Sequence, residues 1–128
     1  MVSPRKLHHI ALAVKDAEAA LAFYQKHFGA QVIKRQNLEE EKTLSIMMEV
    51  GDIQLELLQS TDPEGPVAKL IERRGEGVHS ISFVVDDLEQ AVKHLEAGGL
   101  RMVGKTPRYA FIHPKDAYGV MFELHIPD

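Results

Sequence analysis

His9, Glu56 and Glu123 are the residues of this 128-residue chain whose types and places suggest chemistry, because they fall at matching positions of an internal repeat. Shifting the sequence by 71 residues lays His9 on Ser80, Asp16 on Asp87 and Glu18 on Glu89. Each copy ends in a strand-like stretch with a carboxylate at its centre, Glu56 in the first and Glu123 in the second. Each copy also begins with a strand-like stretch, which offers His9 in the first and Ser80 in the second. One imidazole and two carboxylates facing a common cleft form an N/O donor set for a divalent metal ion. Plainer readings stand beside this one. A histidine next to a strand is often a hydrogen-bonded core residue, and a strand glutamate often simply faces water. The recurrence of the carboxylate at the equivalent place, opposite an imidazole, is what argues for a site.

The elements that must position these residues are legible from periodicity. Residues 7–14 alternate, with Ile10, Leu12 and Val14 on one face and His9, Ala11 and Ala13 on the other, which reads as a strand with one packed and one open face. Asp16 stands where a helix N-cap belongs, Leu21, Tyr24 and Phe28 follow at helical spacing, and Gly29 is the stop. Strands are expected over 31–35, 44–50 and 53–58, with an acidic hairpin loop at 37–42 and a tight turn at Gly51-Asp52. A linker at 60–66 and a short helix over 66–74, with proline in its first turn, join the copies. The second copy repeats the pattern. A strand runs from His79, Asp87 and Gln90 have capping-box spacing, a helix ends at Gly98-Gly99, and strands are expected over 100–104, 109–113 and 120–126. Each copy is thus β-α-β-β-β, with modules at about 5–60 and about 76–128, an α+β architecture in one domain.

Composition narrows the functional classes. An apolar fraction of 45% supports a proper core, and the absence of cysteine excludes disulfides, thiolate metal sites and a cysteine nucleophile. A net charge of −4 with scattered Lys and Arg argues against nucleic acid. No apolar run approaches membrane-spanning length and no signal sequence is apparent, so a cytoplasmic chain with no membrane partner is expected.

The motifs His9-Ile10-Ala11-Leu12-Ala13-Val14-Lys15-Asp16, Leu55-Glu56-Leu57-Leu58, Gly75-Glu76-Gly77-Val78-His79, Phe111-Ile112-His113-Pro114-Lys115 and Phe122-Glu123-Leu124 resemble the vicinal oxygen chelate superfamily. That superfamily includes glyoxalase I, and within it the chain looks like the methylmalonyl-CoA epimerases. The resemblance implies a glyoxalase-like fold of tandem βαβββ modules whose sheets form a shared half-barrel cleft. It also implies a homodimer, a divalent metal (cobalt, nickel, manganese or zinc) and an acyl-CoA thioester substrate. His9 and Glu123 match metal ligands, and Glu56 matches a ligand that is Gln or Glu among relatives. The fourth ligand departs from the pattern. Relatives carry two consecutive histidines where this chain has His79-Ser80, and serine is a poor ligand, although its hydroxyl could hold a water that is one. His79 matches the first of the two and is expected to leave on the opposite face, toward the helix. His125, two residues beyond Glu123 on the same face, is the candidate substitute.

Two further departures concern the base and a loop. A glutamate proposed as base in some epimerases falls near Ser45 here, and a glycine-rich hairpin of relatives is reduced to Thr106-Pro107-Arg108. Lys115 suits a substrate carboxylate or phosphate, or is an ordinary solvated turn lysine. The implied reaction removes the proton between two carbonyl groups of a 2-methylmalonyl thioester and returns it from the other side, with Glu56 and Glu123 as the nominated proton carriers. The alternatives are a glyoxalase I-like lyase or other proton-transfer enzyme on this fold, and a non-catalytic small-molecule-binding protein that keeps the cleft without the reaction.

Overall fold

The computed structural model describes residues 1–128. The first copy folds as β1 (Lys6–Ala13), α1 (Ala17–Phe28), β2 (Gln31–Leu38), β3 (Thr43–Val50) and β4 (Ile53–Ser60), and α2 (Pro66–Arg74) follows. The second copy folds as β5 (Gly77–Val84), α3 (Leu88–Ala97), β6 (Met102–Val103), β7 (Tyr109–Ile112), a 3-10 turn at Pro114–Asp116 and β8 (Phe122–His125). The architecture is therefore α+β with β-α-β-β-β used twice. No helix is long and apolar enough to cross a membrane.

The chain packs as two compact units, Ile10–His79 and Met1–His9 with Ser80–Asp128. Their boundaries fall inside β1 and β5, not in the 60–66 linker. In β1, Ile10–Ala13 pairs in parallel with Leu55–Leu58 of β4. Just before β1, the Arg5 amide donates to Val84 O at 2.8 Å.

In the 10–79 unit the strand order is β2-β3-β4-β1. The local signals act as their chemistry requires. Asp16 Oδ1 accepts the Ala19 amide at 3.0 Å, and Gly29 ends α1 in the left-handed region at φ 68°. The apolar stripe of α1 then packs Ala17 and Leu21 against Ile46, Met48 and Leu57, with Leu12, Val14 and Tyr24 at the margin. The opposite face of β1 is not open along its length, as alternation alone suggested. Ala11, Ala13 and Leu58 are buried against Val67, Leu70 and Ile71 of α2. Those three α2 residues form an i, i+3, i+4 stripe that needs apolar cover, and alanine side chains let a helix approach the sheet. β2 also runs further than expected, to Leu38, because its ladder with β3 continues through Asn37 and Leu44.

In the second unit β5, β8, β7 and β6 lie in that order. Asp87 Oδ1 accepts the Gln90 amide at 3.0 Å, and α3 packs Leu88 and Ala91 against Val85, Ala110 and Leu124. β6 is only two residues long, where 100–104 was expected. The Arg101 amide is taken by Asp116 Oδ2 at 2.8 Å, on which the Arg101 guanidinium also forks. β8 starts at Phe122, not Val120, because the Val120 amide turns back to Ala117 O.

Two outcomes follow from this packing. Leu57 is fully buried, so Leu57→Ala should lower the unfolding free energy by about 2–5 kcal/mol in urea titrations. The Arg101 guanidinium and amide hold the Asp116 carboxyl down to about 2 from its ordinary 3.8. A depressed folded-state pKa gives stability that is complete above the unfolded value and is lost as pH falls through about 2. Asp116→Asn should therefore lower the melting temperature at neutral pH, and the gap from the parent protein should close as pH is taken from 4 toward 2.

Candidate metal centre

β1 and β8 bring His9 and Glu123 together. Their side chains are buried, at 6% and 8% residue exposure, and His9 Nε2 lies 3.5 Å from Glu123 Oε1. That separation is long for a hydrogen bond between these atoms. Metal bonds of about 2.1 Å to both at a tetrahedral angle would place them about 3.4 Å apart, so the pair suits a cation. Burial of a carboxylate beside an imidazole points the same way, since a desolvated negative charge calls for a positive partner.

Ser82 adds a residue to which sequence reasoning gave no role. It is Cα-paired with Glu123, fully buried, and its Oγ has no hydrogen-bond partner. Such a hydroxyl costs stability unless something satisfies it. The signal was available in the strand alternation, which puts Ser80 and Ser82 on one face; Ser80 is buried as well.

On the other side of His9, its Nδ1 lies 2.7 Å from His8 Nδ1, and His8 Nε2 lies 3.0 Å from Asp128 Oδ2. The hydrogen bond from His8 holds the Asp128 carboxyl below its usual range. His125 joins this group: its ring stacks on that of His8 with centroids 4.5 Å apart, and its Nδ1 donates to Ile126 O at 2.6 Å. Ligand-type atoms of His8, His125 and Asp128 lie within 4.8 Å of one another.

In the 10–79 unit Glu56 sits on β4 and Ser45 on β3, two registers apart across the antiparallel ladder. Ser45 Oγ donates to Glu56 Oε2 at 2.6 Å, the length of a charge-assisted bond. Ser45 therefore acts as a donor that orients Glu56. It also borders a cavity of about 260 Å³ whose rim carries the Glu18–Arg35 ion pair. His79 belongs to this unit, on β5. Lys115 is exposed in the 3-10 turn, and its amide donates to His113 Nδ1 at 3.1 Å.

A profile of the Glyoxalase/Bleomycin resistance protein/Dioxygenase superfamily matches residues 8–118. The chain is 32% identical to the ethylmalonyl-CoA/methylmalonyl-CoA epimerase of Cereibacter sphaeroides, covering 93% of this chain and 96% of that protein. Its structure is similar to methylmalonyl-CoA epimerase from Mycobacterium tuberculosis, with a TM-score of 0.90 at 28% identity, covering 100% and 93% of the two chains. A Streptomyces coelicolor methylmalonyl-CoA epimerase variant in complex with 2-nitronate-propionyl-CoA matches with a TM-score of 0.89 at 30% identity, covering 97% and 98%.

A desolvated hydroxyl with no partner costs stability, of order 1–3 kcal/mol, which its removal returns. Ser82→Ala should thus unfold at equal or higher urea concentration than the parent chain when no ligand is added. A clear loss of stability would mean that the Ser82 hydroxyl is satisfied in the folded protein.

Proposed function

Since the chain belongs to the glyoxalase/bleomycin resistance protein/dioxygenase superfamily, we propose that it is a metal-dependent isomerase that epimerises a 2-methylmalonyl-type acyl-CoA thioester. The observation that carries this reading is the buried His9–Glu123 pair at a cation's spacing, in a chain similar over its length to epimerases of such thioesters. His9 and Glu123 would hold the ion, with Glu56 as a further ligand by its equivalent place in the repeat. Cobalt, nickel, manganese and zinc all suit such N/O donors. The ion, when bound, supplies positive charge that stabilises the enolate formed between thioester and carboxylate.

The chain's own residues do the rest. Glu123 and Glu56 are the proton carriers: one starts ionised and removes the C2 proton, and the other starts protonated and gives its proton to the opposite face. The two end each turnover with their protonation states exchanged, so that the reverse reaction or proton exchange with water resets them. The Ser45 hydroxyl fixes Oε2 of Glu56 and so aims its carboxylate. Lys115, exposed in its turn, is assigned to a carboxylate or phosphate of the substrate. A homodimer completes the proposal, on family likeness. A second reading is favoured by Ser80 standing where relatives have a ligand histidine: a metal-free small-molecule-binding protein.

The test pairs metal analysis of protein purified without chelator with deuterium exchange at C2 of methylmalonyl-CoA. The epimerase reading expects about one metal per chain and exchange that falls at least 100-fold, roughly, in Glu56→Ala and in Glu123→Ala. Exchange that persists in both variants removes these carboxylates from the mechanism. Protein with neither metal nor exchange is the binding protein.

A further inference from the structure

The 2.7 Å contact between His8 Nδ1 and His9 Nδ1 can hold only one proton, so one ring donates and the other accepts. Asp128 decides which. Suppose neutral His8 donated from Nδ1. Its Nε2 lone pair would then face the Asp128 carboxylate at 3.0 Å, a repulsive contact. With the proton on His9 Nδ1 instead, His8 accepts there and donates from Nε2 to Asp128, and both contacts become hydrogen bonds. That arrangement leaves the His9 Nε2 lone pair facing the Glu123 carboxylate across 3.5 Å, a longer and weaker repulsion than the 3.0 Å contact it relieves at Asp128, and one that a cation between the two atoms would remove.

A second metal centre at His8, His125 and Asp128 is the competing use of the same atoms. Imidazole lone pairs lie in the ring plane, and the His8 and His125 rings are stacked at 20° with centroids 4.5 Å apart. Two nearly parallel planes so separated do not meet at one ion. His125, locked by its own bond to Ile126 O and stacked on Tyr109, is instead a wall that holds the His8 ring upright.

We infer that His8, braced by Asp128 and His125, is a positioning residue that fixes His9 as its Nδ1–H tautomer, so that Nε2 presents a lone pair for a cation. The consequence for metal affinity rests on the metal-dependent reading above; the tautomer does not, because it is a property of the metal-free chain. Partners that orient a metal-binding imidazole typically change affinity 10–100-fold when removed.

Long-range proton–nitrogen correlation spectra of the chelator-stripped, 15N-labelled chain at pH 8, where an ordinary imidazole is neutral, read the tautomer directly. His9 is expected as Nδ1–H. In Asp128→Asn, whose amide can donate to His8 Nε2, and in His8→Phe, which keeps a ring on His125, His9 should shift toward Nε2–H, with cobalt affinity down about 10–100-fold. Asp128→Glu should restore the parent tautomer. Asp128 is exposed, so its variants keep the test open if His8→Phe does not fold. A parent His9 found as Nε2–H, or a tautomer unmoved in Asp128→Asn, overturns the inference. The expected tautomers with no cobalt bound by the parent chain uphold it and overturn the metal reading instead.

Discussion

A carboxylate cannot be taken out of water alone, and the burial of Glu123 beside His9 is the constraint on which the candidate centre depends. The strands that deliver these two residues are held by ordinary means. β8 is pinned in parallel to β5 and antiparallel to β7, and α3 buries Leu124, the neighbour of Glu123, on the opposite face. Alternation then leaves Glu123 no choice of side. A hydrophobic core on one face of a strand thereby presents a charged group on the other, and the repeat does the same for Glu56 through Leu57 and α1.

The polar groups beside these carboxylates differ in how they are satisfied. Ser45, where a carboxylate base is expected by resemblance, donates its hydroxyl to Glu56 at 2.6 Å. Ser80 is buried, and two residues on, Ser82 keeps a buried hydroxyl without a hydrogen-bond partner. A fully buried hydroxyl without a partner is costly, and buried polarity of this kind is where folds commonly give up stability for function.

The sequence by itself determined the elements and their faces. Asp16 and Asp87 cap helices because a carboxylate oxygen can take an otherwise unbonded amide, Gly29 ends one because only glycine enters the left-handed region at little cost, and α2 covers the predicted 66–74. The repeat displayed the equivalence of Glu56 and Glu123, and periodicity alone put His9 on the face opposite the α1 core. These features are local, acting within a few residues, so a linear reading captures them.

Only the tertiary structure decided what those faces meet. That α2 covers Ala11 and Ala13, that Arg101 gives its amide to Asp116 and shortens β6, and that Ser45 bonds to Glu56 all depend on groups distant along the chain. The same holds for the His9–His8–Asp128 series, where a residue 120 positions away sets the proton of His8. Hydrogen bonds of this sort depend on distances of a few tenths of an ångström between separate strands. Residue type and spacing carry the capacity to make them, and only folding chooses the partner.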